Sequence, residues 1–253
     1  MKFKLKTNNN EKLNEAYQLA VKYVDEINKK DVIGIAFLGA IVRGYYDNDS
    51  DIDITIFRKK YRQKITSDTF DYHGYQLHIF DVDYKNELAI KWEMGKRWAY
   101  STSQVYWEKS NLITSLIENK TSISESEKKW FLMSGITLSE WYINRLTDLW
   151  IRRGDIENAH YQFSEGLTHF FNALFALNNE LVPDYKWRIF CSKQLETLPP
   201  NYSEDISNIQ IVHSITVEEI ERRKKVFFNM WNSILPKIED KLGMKYEEFK
   251  DKV

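Results

Sequence analysis

Apolar residues at Leu13, Ala16, Tyr17, Ala20, Tyr23, Val24 and Ile27 recur every three or four positions, which predicts an amphipathic helix over about 11–30. The period then changes. VIGIAFLG at 32–39 is an unbroken apolar run rich in β-branched residues and predicts a buried strand. DIDITIF at 51–57 alternates: Ile52, Ile54 and Ile56 point one way, Asp51, Asp53 and Thr55 the other. YQLHIFDVD at 75–83 follows a His-Gly turn as a third strand. The connections are too short for long helices, so a small mixed sheet is expected. From about 86 the pattern turns helical. The segment 122–155 opens with capping residues and closes at Gly154, 156–179 carries a near-continuous apolar stripe, and 216–242 reads as a final long helix. The expected fold class is α+β, a small mixed β-sheet domain over 1–115 followed by an all-helical bundle domain over 116–253.

Composition narrows the function classes. The chain has 253 residues, with 36 basic and 37 acidic side chains, so no basic excess favours a nucleic-acid partner. A single cysteine, Cys191, excludes an intramolecular disulfide and fits a reducing compartment. MKFKLKTNNN lacks the apolar core of a leader peptide, and no run reaches the roughly 18 apolar residues of a membrane span. A soluble, cytoplasmic protein is expected. The 8 Trp and 15 Tyr suit either a homodimer contact or a stacked ligand.

The two aspartates carry the chemistry. On one strand face, Asp51 and Asp53 lie at most about 7 Å apart between Cα atoms, close enough to repel unless a cation sits between them. Paired hard oxygen donors on a rigid strand suit Mg²⁺, which takes further ligands from water and substrate phosphates. Upstream, LGAIVRG follows a buried strand directly: its glycines allow backbone amides to approach an anion, and Arg43 can add charge-assisted bonds to phosphate. The strand at 75–83 carries His78, Asp81 and Asp83. If Leu77 and Ile79 face the core, His78 shares the face of Asp53; a bulge would bring Asp81 there instead, and Asp83 is the remaining carboxylate on that strand.

The stretch GAIVRGYYDNDSDIDITIF resembles the nucleotidyltransferase signature of the DNA polymerase β-like superfamily: Gly-Ser, a spacer, Arg-Gly, then Ser-Asp-Ile-Asp before an apolar strand. Gly39, Arg43, Gly44, Ser50, Asp51 and Asp53 match it, and Ala40 stands where the signature has serine, a hydroxyl that helps hold the triphosphate. HFFNALFALNNELVPDYKW at 169–187 and the aromatic segment 92–110 resemble the helical domain and inter-domain segment of antibiotic-type members. The resemblance implies a nucleotidyltransferase domain in which Asp51, Asp53 and a third ligand, His78 or a later carboxylate, bind Mg²⁺. Gly39, Ala40, Arg43, Gly44, Ser50 and Lys186 would bind the nucleotide. It implies ATP or another NTP as co-substrate and transfer of a nucleoside monophosphate, AMP foremost, to a small hydroxylated acceptor such as an aminoglycoside-like antibiotic. A protein-modifying enzyme and a nucleotide-binding regulator without turnover are the alternatives; addition to RNA is disfavoured by the near-neutral charge. Glu93 and Glu108 are further candidate bases from the inter-domain segment, with helix-surface charge the stronger reading of each.

Overall fold

The structure, a computed structural model, describes residues 9–59 and 66–253, except the Thr66 side chain. Residues 1–8, on which the reading of the amino terminus largely rests, lie outside the described residues. Two compact units make up the chain, Met1–Ser122 and Ile123–Val253. The class is α+β, a mixed sheet with helices followed by a helical unit.

In the first unit, helix α1 (Asn10–Glu26) begins where the Asn9 side chain accepts from the Glu11 and Lys12 amides. Strand β1 (Val32–Leu38) is buried at every residue. A one-turn helix α2 (Ala40–Arg43) follows, then β2 (Ile52–Arg58), β3 (Thr66–Tyr72), β4 (Tyr75–Asp83), α3 (Tyr84–Ala89), α4 (Met94–Ser101), β5 (Gln104–Glu108) and α5 (Leu112–Thr121). The sheet order is β3-β4-β2-β1-β5; among the described residues β2 and β4 pair in parallel and the other pairs are antiparallel. The His-Gly turn before 75 therefore closes a β3–β4 hairpin, and 92–110 contributes a helix and an edge strand of this unit.

Both faces of the sheet are covered. On one, Phe37 meets Tyr17 of α1 edge to face, and α1 buries Ala16, Ala20 and Val24. On the other, Ala36, Leu38, Phe57 and Val82 share a core with Trp92, Tyr100, Ile113 and Leu116. Thr55 of the alternating strand is consequently fully buried, its hydroxyl 2.7 Å from the Tyr100 hydroxyl. The face that carries Asp53 is thus a second core face, open only toward its end.

The second unit opens with α6 (Glu125–Glu140), capped by the Ser124 hydroxyl, which accepts from the Glu127 amide. It runs through one π-helical turn, Trp141–Leu146, into α7 (Thr147–Arg152). Then come α8 (Ile156–Leu177), α9 (Arg188–Ser192), α10 (Tyr202–Gln210), α11 (Val217–Leu242) and α12 (Tyr246–Phe249). Phe163 and Phe170 of α8 pack edge to face on Phe227 of α11, and the Trp231 indole donates to the Ile136 carbonyl of α6 at 3.1 Å. Among the described residues no helix is long and apolar enough to cross a membrane.

Candidate metal centre

Strand β2 is central, and Asp53 is opposite Leu38 on its β1 side and opposite His78 on its β4 side. That register puts the His78 Nδ1 3.3 Å from an Asp53 carboxylate oxygen and 4.0 Å from one of Asp51. One donor atom from each of the three residues lies within 4.8 Å of the others. Octahedral coordination at about 2.1 Å would span about 4.2 Å across the metal, so small side-chain rotations bring the set to bonding distance. Asp53 is mostly buried, and its carboxyl is pushed up to about 6, first by burial and then by the Asp51 charge, with His78 and Arg43 pulling the other way. A divalent cation fits this donor set and would remove the repulsion between the carboxylates.

Gly39 is built against this pair. Its φ of +67° belongs to a region that glycine alone enters freely, and a Cβ there would lie 2.2 Å from an Asp53 carboxylate oxygen. The chain then turns through α2, where Ala40 is buried at the signature's serine position, and leaves at Gly44 in the left-handed conformation. The polar turn before β2 is wound on one side chain: the Asp47 carboxylate accepts from the Ser50 hydroxyl at 2.8 Å and the Asp49 amide at 3.1 Å. Ser50 therefore holds this turn.

Arg43 is turned inward. It is 4% exposed, its guanidinium lies 3.9 Å from the centroid of the Trp98 ring, and its Nε donates to the Thr102 hydroxyl at 3.1 Å. A side-chain hydrogen bond also joins it to Tyr45. The two carboxylates downstream on β4 are engaged elsewhere. The β2–β4 register runs without a bulge, so Asp81 falls opposite Ile56 on the face turned away from Asp53, where the Arg58 Nε donates to both its oxygens at 2.7 and 2.8 Å. Asp83 caps α3 by accepting from the Asn86 amide. Glu108 accepts from the Ile113 and Thr114 amides and the Thr114 hydroxyl, bonds that outweigh its burial and hold its carboxyl below the usual range, so it caps α5. Glu93 is an exposed residue at the start of α4, and Lys186 lies on an exposed 3₁₀ turn of the second unit, its amide donating to Asp184.

No protein-family model matches the chain, and a comparison with curated proteins found no match. Among solved structures it is similar to a nucleotidyltransferase-like protein from Exiguobacterium sibiricum 255-15, at 11% identity and a TM-score of 0.49, covering 91% of this chain and 78% of that one. A likeness of that degree carries no weight for function, which rests on the centre itself.

Residues that pattern reading missed lie around the three donors. Trp98 and Thr102 seat Arg43, and Tyr100 floors the sheet beside Thr55. All belong to the aromatic segment 92–110; the alternating QVYWE within it was the available signal for a strand. Beside Ser50, a polar cleft of about 480 Å³ is lined by Lys12, Tyr46, Asp49, Asp71, Tyr75 and Gln76 among others. Tyr46 is 2% exposed, and burial raises its phenol pKa above the usual value.

Proposed function

We propose that the protein is a metal-dependent nucleotidyltransferase of the DNA polymerase β-like kind, transferring a nucleoside monophosphate, AMP from ATP foremost, to a hydroxyl of a small molecule. The observation that carries this reading is the convergence of a glycine turn, two strand carboxylates and an in-register histidine at one end of a covered sheet. Asp51 and Asp53 would hold the divalent cation with His78. When bound, that ion neutralises charge on phosphoryl oxygens. The close approach of Gly39 to Asp53 would set the triphosphate against the carboxylates, and Arg43 would add fixed positive charge from beneath the turn. The acceptor oxygen would attack the α-phosphorus in line as the bond to the bridging oxygen breaks and pyrophosphate leaves. A carboxylate oxygen of Asp53 left free by the cation would take the hydroxyl proton. The neighbouring cleft, at about 480 Å³, has room for a small acceptor. An aminoglycoside-like compound and a cytoplasmic setting belong to the same proposal.

A second reading, a nucleotide-binding regulator without turnover, is favoured by Ala40 at the serine position and by the enclosed Arg43. Calorimetric titration of Mg·ATP into the wild-type chain and Asp51→Asn/Asp53→Asn tests the common core of both. Binding lost in the variant is expected; identical curves would sink the metal-site reading. Pyrophosphate release over a panel of hydroxylated acceptors, aminoglycosides included, then separates them, since turnover selects the enzyme and binding alone selects the regulator.

A further inference from the structure

We infer that the Asp51–Asp53–His78 centre selects a divalent transition cation of the manganese–cobalt–zinc group over magnesium. The inference rests on the reading above that these three residues hold a cation, and concerns which one.

The donor atoms decide it. The third position is taken by an imidazole nitrogen: the Nδ1 of His78 is the atom turned toward Asp53, at 3.3 Å. In the tautomer that keeps its proton on Nε2, this nitrogen presents a lone pair to the space between the carboxylates. Magnesium is small, hard, tightly hydrated and suited to oxygen donors. Imidazole nitrogen is a borderline donor that adds affinity for transition cations, whereas carboxylate is shared by both groups of metals. An imidazole in place of a third carboxylate also leaves the donor set at two negative charges, which weakens the purely electrostatic hold on which magnesium depends.

Among the described residues, no further carboxylate stands free beside the three donors to restore an all-oxygen set. Asp81 is opposite Ile56, bound through both oxygens to Arg58 and turned to the other face of the sheet. Asp83 caps α3, and Asp47 is consumed by its own turn. Among the described residues, Asp51, Asp53 and His78 form the one cluster of three or more potential ligands. His78 is also fixed in place: its strand is paired on both sides, with Asp53 in β2 and Thr69 in β3 opposite it, and its ring packs against Phe80 at 4.1 Å between centroids. Replacing it by a carboxylate is therefore a change of donor on an unchanged scaffold.

The test uses the full chain, stripped with a chelator, in the absence of nucleotide. Equilibrium dialysis against MnCl₂, CoCl₂, ZnCl₂ and MgCl₂ gives the affinities, for the wild type and for His78→Asp. Wild type is expected to bind Mn²⁺ at least about tenfold more tightly than Mg²⁺, and His78→Asp to lower that ratio by about tenfold while keeping Mg²⁺ binding. Pulsed electron paramagnetic resonance of the wild-type Mn²⁺ complex is expected to show nitrogen coupling from one coordinated imidazole, absent from the variant. A wild-type spectrum without that coupling overturns the inference even where His78→Asp does not fold, as does an Mn²⁺/Mg²⁺ ratio that the substitution leaves unchanged. Equal binding of both metals with intact Mg·ATP binding overturns this inference alone. A wild type that binds neither cation nor Mg·ATP overturns the proposed function with it.

Discussion

The Asp53 carboxyl holds its proton more tightly in the folded chain than in the unfolded one, because burial and the Asp51 charge raise its pKa from the ordinary 3.8 to about 6. Stability from this group is therefore present at low pH and lost as pH rises through about 6. In chelator, the stability of the wild type relative to Asp53→Asn is expected to fall between pH 4 and 7, leaving the variant the more stable at pH 7 by about 1 kcal/mol or more. Denaturant melts across that range check it, and a parallel fall in both proteins would contradict it. A divalent cation is expected to restore the wild type but not the variant. Gly39 carries a second expectation. An alanine there must accept φ +67° and a carboxylate oxygen 2.2 Å from its Cβ, so Gly39→Ala should destabilise by about 1–3 kcal/mol and weaken cation binding. Retention of wild-type cation affinity would show that the glycine turn and the aspartate are not coupled.

Among the elements, those with a regular apolar period were legible in sequence. The chain at 32–39, 51–57, 75–83 and 156–179 forms β1, β2, β4 and α8 with ends shifted by a residue or two. The missed elements lack that signal. Ser67–Asp71 of the edge strand β3 are exposed, so no alternation betrays the strand, and β5 is short and only half-buried. The helix expected over 122–155 contains a π-turn at Trp141–Leu146, where the Thr147 hydroxyl donates to the Tyr142 carbonyl at 2.9 Å, a local adjustment without a periodic signature. The α6–α8 contact yields an expectation against helix propensity. Gly135→Ala should gain about 1 kcal/mol of propensity, yet its Cβ would lie 2.6 Å from the Ala173 amide nitrogen and 2.8 Å from the His169 carbonyl oxygen. Backbone cannot rotate aside, so a net loss of about 1–3 kcal/mol is expected by chemical denaturation. Unchanged or higher stability would mean that the two helices can separate without cost.

At the scale of the whole molecule, each unit encloses its own core, the first around Phe37, Ile54 and Trp92, the second around Phe163, Phe170 and Phe227. All three donors belong to the first. A fragment of residues 1–124 is therefore expected to fold cooperatively and to bind Mn²⁺ within about threefold of the full chain, since its donors and their pairing strands are all present. A fragment that folds but binds no cation would show that the centre needs residues beyond it. The sequence by itself determined the elements with strong period, the mixed α+β class, and the pairing of Asp51 and Asp53 beside a glycine turn, because period and spacing along a strand are local properties. Only the tertiary structure decided that the Asp53 face is a covered core face, that Arg43 stacks inward on Trp98, and that Asp81 is bound to Arg58 on the opposite side while His78 stands beside Asp53. These depend on which strands become neighbours and which helix covers them, and that is set by burial of apolar surface across residues distant in the chain.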